Sequence, residues 1–115
     1  MRLLREDGGV VCENCVLADN PWTRLKGLLG RRGLDDGEGL LIHPTGSIHM
    51  FFMRFPIDAV FLVRDRRVLK VVDDLKPWRT AGCRGAKEVV ELAAGECARR
   101  GLAVGDRLVL DGGAA

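Results

Sequence analysis

The sequence predicts a small α+β fold that is mainly β, with about seven short strands in a mixed, mostly antiparallel, barrel-like sheet. Two observations predict this class. Short apolar runs recur along the chain and are separated by glycine-rich or charged turns, which is typical of short strands. One segment, at about 21–29, repeats its apolar residues at helical spacing and predicts the main helix, while about 95–100 predicts a second, short one.

Length and charge limit the classes of protein that fit. The 115 residues suffice for one domain with its own core, which we expect to span 1–115. No apolar run approaches the ~20 residues that a membrane helix needs, so no membrane association is expected. The first seven residues become charged too early for a signal peptide, so we expect a cytoplasmic protein whose thiols stay reduced.

The N-terminal part is predicted to form a hairpin and then the main helix. Strands at 2–6 and 10–17 flank a turn at Asp7, Gly8 and Gly9. Asn20 and Pro21 are typical of a helix start, and the segment that they begin has its apolar residues on one side.

The remaining strands are predicted from apolar runs between turns, at 39–42, 48–52, 59–63, 68–72, 86–92 and 107–110. The charged residues 64–67 predict the tip of a hairpin. Residues 73–85 are predicted to be an irregular loop, and 111–115 a frayed tail.

Several segments resemble the domain of unknown function 192 family. They are residues 22–29, 39–42 and the central motif at 49–61, with closing segments at 87–95 and 105–106, so the resemblance covers about 22–110. It implies a small, compact, mainly β protein and no established activity. The family motif often reads Phe-Trp-Met, Lys or Arg, then Asn-Thr. Here residues 51–56 read Phe-Phe-Met-Arg-Phe-Pro, so the polar Asn-Thr pair is absent.

The segment 47–63 is the candidate site. It holds all four Phe of the chain and also His49, Arg54 and Asp58. Charged groups inside an apolar run are rarely buried unless they are paired. The Arg54 fork suits a carboxylate or phosphate, and Asp58 would hold it in place. The alternative is an ion pair that ties a turn to the sheet and binds nothing.

Two further residues join this candidate site, Glu91 as a fourth polar member and Trp78 as a lid over a nearby pocket. A plug at the end of the barrel is the alternative role for Trp78. Met50 and Met53 beside His49 are soft metal ligands. The Met and Phe residues of this segment are, however, expected in the core, where methionine commonly fills gaps, so no metal or other cofactor is expected.

The cysteines are predicted to be free thiols. Cys12 and Cys15 have metal or redox spacing, but a zinc site usually takes two such pairs, and Cys83 and Cys97 are isolated. Residues three apart on one strand point to opposite faces. We therefore expect four buried or half-buried thiols, with zinc binding or a disulfide as the alternatives.

The leading functional hypothesis is a ligand- or peptide-binding module, a monomer or weak homodimer, whose partner is a small anion or an acidic or C-terminal peptide segment. One alternative is a hydrolase-type enzyme that pairs His49 with Asp58 or Glu91. A second is a structural interaction domain, which predicts an exposed apolar patch.

Nucleic-acid binding is not favoured. The net charge is only +2. A surface that stacks bases needs aromatic residues beside its cations, and Trp78 is the only aromatic residue in the predicted turns that carry the arginines. The exposed arginines expected at turns are Arg31, Arg32, Arg64, Arg66, Arg67, Arg79 and Arg84.

Overall fold

The computed structural model describes residues 1–20, 28 and 31–111. The predicted main helix at about 21–29 lies outside the described residues except for Leu28, which is buried. The predicted tail lies outside them beyond Asp111.

The described residues form ten strands and one short helix. The strands are β1 (Arg2–Arg5), β2 (Val10–Cys12), β3 (Asn14–Ala18), β4 (Glu38–Ile42), β5 (Ser47–His49), β6 (Ile57–Leu62), β7 (Val68–Leu75), β8 (Thr80–Gly82), β9 (Glu88–Ala93) and β10 (Leu108–Asp111), and the helix is α1 (Glu96–Arg99). The fold is thus mainly β, as predicted, and α1 lies within the predicted short helix.

These strands divide into three sheets. The central sheet has the order β3-β4-β9-β6-β7, a second sheet has the order β10-β1-β2, and β5 pairs with β8 alone. Of the described strands, only β3 and β4 pair in parallel. The mixed, mostly antiparallel pairing agrees with the prediction. The single barrel-like sheet of about seven strands is not confirmed, because the described strands separate into these three sheets.

The chain changes sheet at Glu13. The sequence predicted one strand over 10–17, but β2 pairs with β1 and β3 pairs with β4, with a bend at Glu13 between them. The one-strand prediction is wrong because an apolar run does not reveal which partner each half of it finds.

The central sheet carries an apolar core on each face, which is why β6 and β9 are buried along their whole length. The first core lies between this sheet and β10-β1-β2; its members include Leu3, Val11, Cys12, Cys15, Leu41, Val60, Leu62, Val90, Leu92, Cys97 and Leu108. The second core covers the other face; its members include Leu28, Leu40, Ile42, Met50, Met53, Ile57, Ala59, Phe61, Leu75 and Val89.

The small β5–β8 sheet corrects one strand prediction and one loop prediction. The strand predicted at 48–52 is Ser47–His49, and the predicted loop at 73–85 contains the end of β7 and the strand β8. Thr80–Gly82 has no apolar run of its own, so its pairing with β5 makes it a strand. None of the described residues belongs to a helix of the length and apolarity needed to cross a membrane.

Candidate binding surface

Four rings project from two neighbouring loops and form what we call the aromatic surface: His49, Phe51, Phe52 and Trp78. Phe51 is 40% exposed, Phe52 71% and Trp78 58%. The His49 and Phe51 rings stack with centroids 4.9 Å apart, and the Phe51 and Trp78 centroids are 5.9 Å apart. Phe52 meets Trp78 edge to face at 4.9 Å. Large exposed aromatic groups in contact with one another mark an interaction site.

Backbone hydrogen bonds hold the two loops together. The Met50 N–H donates to the Arg79 carbonyl at 2.7 Å, and the Trp78 N–H donates to the Met50 carbonyl at 2.7 Å. These bonds continue the β5–β8 pairing, in which His49 lies opposite Thr80. Met50 itself is fully buried in the second core, so the loop is anchored from below.

Two of the exposed aromatic residues have a strained backbone. Phe52 has φ of 65° and Trp78 has φ of 68°, in the left-handed region that bulky L-residues avoid. Such strain costs about 1–2 kcal/mol per residue and is concentrated at functional sites. Strain at two adjoining exposed aromatic residues therefore supports a role for this surface.

The surroundings of the aromatic surface carry positive charge. No Asp or Glu occurs in residues 43–57 or 75–87. Arg54 and Arg79 are exposed, and their guanidinium groups form no hydrogen bond or ion pair with a described residue, whereas Lys76 pairs with Asp74 at 2.7 Å. Two guanidinium groups are therefore available to a partner beside exposed rings.

Asp58 is fully buried and does not pair with Arg54. Its carboxylate accepts three backbone N–H bonds, from Asp74 at 2.9 Å, Gly95 at 3.1 Å and Cys97 at 3.0 Å. Asp58 therefore connects the end of β7 to the start of α1. The Asp58, Asp73 and Cys97 ligand atoms lie within 4.8 Å of one another, but with its oxygens bound to N–H groups Asp58 is poorly suited to a cation.

Glu91 lies in the middle of β9, the central strand of the central sheet. It is 6% exposed and lies opposite Leu40 and Ala59 in the sheet, and its carboxyl group forms no hydrogen bond or ion pair within the described part of the chain. Burial therefore acts without compensation and raises the pKa of the Glu91 carboxyl to about 7.

The sheet register places the two buried carboxyl groups on opposite faces. Glu91 lies opposite Ala59, and Asp58 is the next residue along β6, so Asp58 faces the first core and Glu91 the second. Among the five predicted site residues, the structure thus brings His49 and Trp78 together, through Phe51, with Arg54 following on the same loop. Asp58 and Glu91 lie inside.

The sequence analysis placed the phenylalanines in the core and missed the exposure of Phe51 and Phe52. Met50 and Met53 are buried, as predicted. A signal for this exposure is the spacing of Met50 and Met53: when two residues three apart are both buried, the residues between them, Phe51 and Phe52, face outward.

A surface ion cluster around Glu88 was also missed. The His43 Nδ1 lies 3.0 Å from one Glu88 carboxylate oxygen, and the Arg66 Nε donates to the other at 3.1 Å. Glu88 is buried, and the Arg66 guanidinium balances its charge. This cluster joins the β6–β7 hairpin to the end of β4.

The cysteines have the predicted burial: Cys12, Cys15 and Cys97 are buried thiols and Cys83 is half-buried. Trp78 is too exposed to act as the plug that was considered for it.

Comparison with known proteins assigns the family but no activity. The DUF192 family model, described as an uncharacterised ACR, matches residues 3–110. No protein with a curated description matches the chain.

Two solved structures are similar to this chain over nearly its whole length. One is a protein of unknown function from Novosphingobium aromaticivorans, with 26% identity, a TM-score of 0.81, and coverage of 95% of this chain and 82% of that one. The other, from Sinorhizobium meliloti, is described as "a putative transcription regulator", with 27% identity, a TM-score of 0.80, and coverage of 94% and 89%. On the family match, supported by these two folds, the chain belongs to the domain of unknown function 192 family.

Proposed function

We propose that this protein is a peptide-binding module that uses the aromatic surface, with Arg54 and Arg79, to bind an acidic segment of another polypeptide. The observation that carries this proposal is the exposure of Phe51, Phe52 and Trp78 on loops with a strained backbone. Trp, Phe and Arg are the residue types enriched in protein interfaces, and Trp and Arg dominate their binding energy.

The charges around the aromatic surface favour an acidic partner. Residues 43–57 and 75–87 contain arginine and lysine but no Asp or Glu, and Arg54 and Arg79 have no partner within the described residues. Carboxylates of a bound segment would pair with these guanidinium groups, and its apolar side chains would pack on Phe52 and Trp78. Complementary charge of this kind sets specificity and association rate.

Single-stranded nucleic acid is the competing ligand class, because it also uses stacking rings and cations. Phe52 meets Trp78 at an interplanar angle of 61°, so these two rings do not form parallel platforms for successive bases. The net charge of +2 is also small for a nucleic-acid interface. These features favour a peptide, although the Sinorhizobium relative is described as a regulator of transcription.

Fluorescence anisotropy with three labelled probes tests the proposal. The probes are a pool of acidic peptides with apolar positions, the same pool with Lys replacing each acid, and single-stranded oligothymidine. We expect the acidic pool to bind at least about tenfold more tightly than the other two. The proposal is wrong if the Lys pool binds equally well or if only oligothymidine binds.

Matched variants assign the binding to the surface. Trp78→Ala and Arg54→Glu should each weaken acidic-peptide binding by about tenfold or more. Val104→Ala is the control for Trp78, since Val104 is an apolar residue with 63% exposure outside the aromatic surface. Arg64→Glu is the control for Arg54, since Arg64 is also exposed and forms no ion pair with a described residue. Equal losses in the controls would show that binding is nonspecific.

The enzyme alternative is not favoured by the geometry. General acid–base catalysis needs a carboxyl group within hydrogen-bond reach of a substrate. Glu91 is 6% exposed in the middle of β9, and the Asp58 oxygens accept backbone N–H groups, whereas His49 lies on the aromatic surface. Burial raises the pKa of the Glu91 carboxyl but also keeps this carboxyl away from a substrate.

A further inference from the structure

Cys12 and Cys15 lie on either side of the bend at Glu13. Cys12 ends β2 in one sheet, and Cys15 belongs to β3 in another. On a continuous strand their side chains would point to opposite faces. The bend removes that constraint, and both cysteines enter the first core, with exposures of 0% and 2%.

Both side chains lie over Gly39. Cys15 is opposite Gly39 in the parallel β3–β4 pair, and its side chain faces the first core. On the same face, a Cβ added to Gly39 would lie 2.8 Å from the Cys12 sulfur. The Cys12 thiol also donates to the Gly37 carbonyl at 3.3 Å. The missing side chain at Gly39 thus leaves room for the Cys12 sulfur, which lies within hydrogen-bond reach of the Cys15 thiol.

The two thiols differ electrostatically. A hydrogen bond from the Cys15 thiol lowers the pKa of Cys12, and the same contact, with burial, raises the pKa of Cys15. A thiolate at Cys12 is the nucleophile that such an arrangement favours, with Cys15 as the second thiol.

We propose that Cys12 and Cys15 are a redox-active dithiol that forms an intramolecular disulfide in the folded protein. The oxidant is a small-molecule disulfide such as oxidised glutathione. The Cys12 thiolate attacks one of its sulfur atoms and releases one glutathione thiolate. The deprotonated Cys15 sulfur then attacks the Cys12 sulfur and releases the second. Two electrons pass to the glutathione sulfurs, and the two cysteine protons end on the two glutathione thiols.

Access to these buried thiols needs only local opening. Among the described strands, β2 is the last of its sheet and β3 the last of the central sheet, so each pairs with one strand. At β3 the opening also breaks the bond that the Cys15 N–H donates to the Met1 carbonyl at 2.6 Å. Edge strands of three and five residues open more readily than central ones. The Cys97 thiol packs in the same first core, so it is the internal competitor that the experiment must distinguish.

Equilibration in glutathione redox buffers tests the proposal, with Cys83→Ser as the background that removes the half-buried thiol. Alkylation and peptide mass mapping then measure the fraction of each disulfide, in the folded protein and in the urea-unfolded chain. We expect a Cys12–Cys15 link that is at least about tenfold more favoured in the folded protein, and a correspondingly higher Tm for the oxidised form. The Cys15→Ser variant should stop at a mixed disulfide between Cys12 and glutathione.

Three results would overturn the proposal. The first is that the folded thiols stay reduced under conditions that oxidise the unfolded chain. The second is that peptide mapping finds a Cys12–Cys97 disulfide, and the third is that oxidation lowers the Tm. Each would mean that the folded geometry does not favour the Cys12–Cys15 bond. None of these results bears on peptide binding, so the two proposals fail independently.

Discussion

At the residue scale, Asp58 and Glu91 show how two similar positions acquire opposite electrostatic roles. Both are acids within buried strands of the central sheet. Asp58 accepts three backbone N–H bonds, whereas Glu91 has no described partner. A paired buried carboxylate stabilises the fold, and an unpaired one destabilises it when it ionises.

We expect Asp58→Asn to destabilise the protein by about 3 kcal/mol. The amide NH₂ replaces one acceptor oxygen, so at least one of the Asp74, Gly95 and Cys97 N–H groups would face a donor. Urea unfolding monitored by circular dichroism measures the change. Asp65→Asn, at the exposed tip of the β6–β7 hairpin, is the control and should cost less than about 1 kcal/mol. Equal effects of the two substitutions would contradict this account.

The unpaired Glu91 carboxyl should make stability depend on pH. Its pKa is raised from 4.5 to about 7, so between these values the folded protein binds more protons than the unfolded chain. Glu91 therefore lowers the free energy of unfolding least below pH 4.5, where it is protonated in both states. It lowers this free energy further as the pH rises to about 7, by about 3 kcal/mol in total.

Glu91→Gln removes this titration. The unfolding free energy of the variant minus that of the wild type should therefore rise between about pH 4.5 and about pH 8, as measured by urea unfolding across that range. Glu6→Gln, on an exposed residue, is the control and should show no such rise. A constant difference across the range would mean that Glu91 is paired or solvated in solution.

At the element scale, the loop after β5 separates stability from binding. The strand ends at His49, and the Met53 N–H donates to the Met50 carbonyl at 3.2 Å, which closes a turn. This turn buries the two methionines and sends Phe51 and Phe52 outward. The loop is therefore anchored by Met50 and Met53, whereas the residues that it exposes to a partner are Phe51 and Phe52.

Phe52→Gly should separate the two properties. Glycine accepts the φ of 65° without strain, and this gain of about 1–2 kcal/mol offsets the lost contact with Trp78 and the greater entropy of the unfolded chain. We expect the free energy of unfolding to change by less than about 0.5 kcal/mol, while acidic-peptide binding falls by about tenfold. Thermal unfolding and anisotropy measure the two effects.

Val104→Gly is the matched control for Phe52→Gly. Val104 is exposed and does not have positive φ, so the substitution should lower stability by about 0.5–1 kcal/mol and leave binding unchanged. A larger loss of stability in Phe52→Gly than in Val104→Gly would contradict the strain at Phe52.

At the scale of the whole molecule, Arg100 joins two sheets through α1. Its guanidinium donates to Glu96 at 2.9 Å, to the Val10 carbonyl at 2.9 Å and to Glu13 at 2.7 Å. The Arg5 guanidinium donates to the Arg100 carbonyl at 2.6 Å. These bonds connect β1 and β2 to the helix that follows β9, on one side of the first core.

Arg100→Ala should therefore destabilise the protein by about 2–3 kcal/mol, because it leaves polar groups unpaired and Glu96 with one arginine partner instead of two. Arg99→Ala is the matched control. Arg99 also pairs with Glu96, but its side chain is 54% exposed, against 11% for Arg100, so its loss should cost less than about 1 kcal/mol. Differential scanning calorimetry measures both, and a larger loss for Arg99→Ala would contradict the bridging role.

Predictions from the sequence succeeded where local residues decide the outcome. The β6–β7 hairpin was predicted from its charged turn, and the short helix at 96–99 from the glycine that follows a helical segment. The burial of Met50 and Met53 was predicted from the common role of methionine in cores. The candidate site was predicted in part: His49 and Trp78 do come together, but Asp58 does not hold Arg54.

The sequence by itself determined the mainly β class, the family and the segment that supplies three of the four rings of the aromatic surface, because these depend on residue type and order along the chain. Tertiary structure decided that Asp58 binds the start of α1, that Thr80–Gly82 is a strand, and that Cys12 and Cys15 share one core. Each of these depends on a sheet pairing, a change of sheet or a contact between distant residues. Composition and periodicity indicate whether a residue favours a strand or the core, but not which distant residue it contacts. These outcomes could therefore be read only from the folded structure.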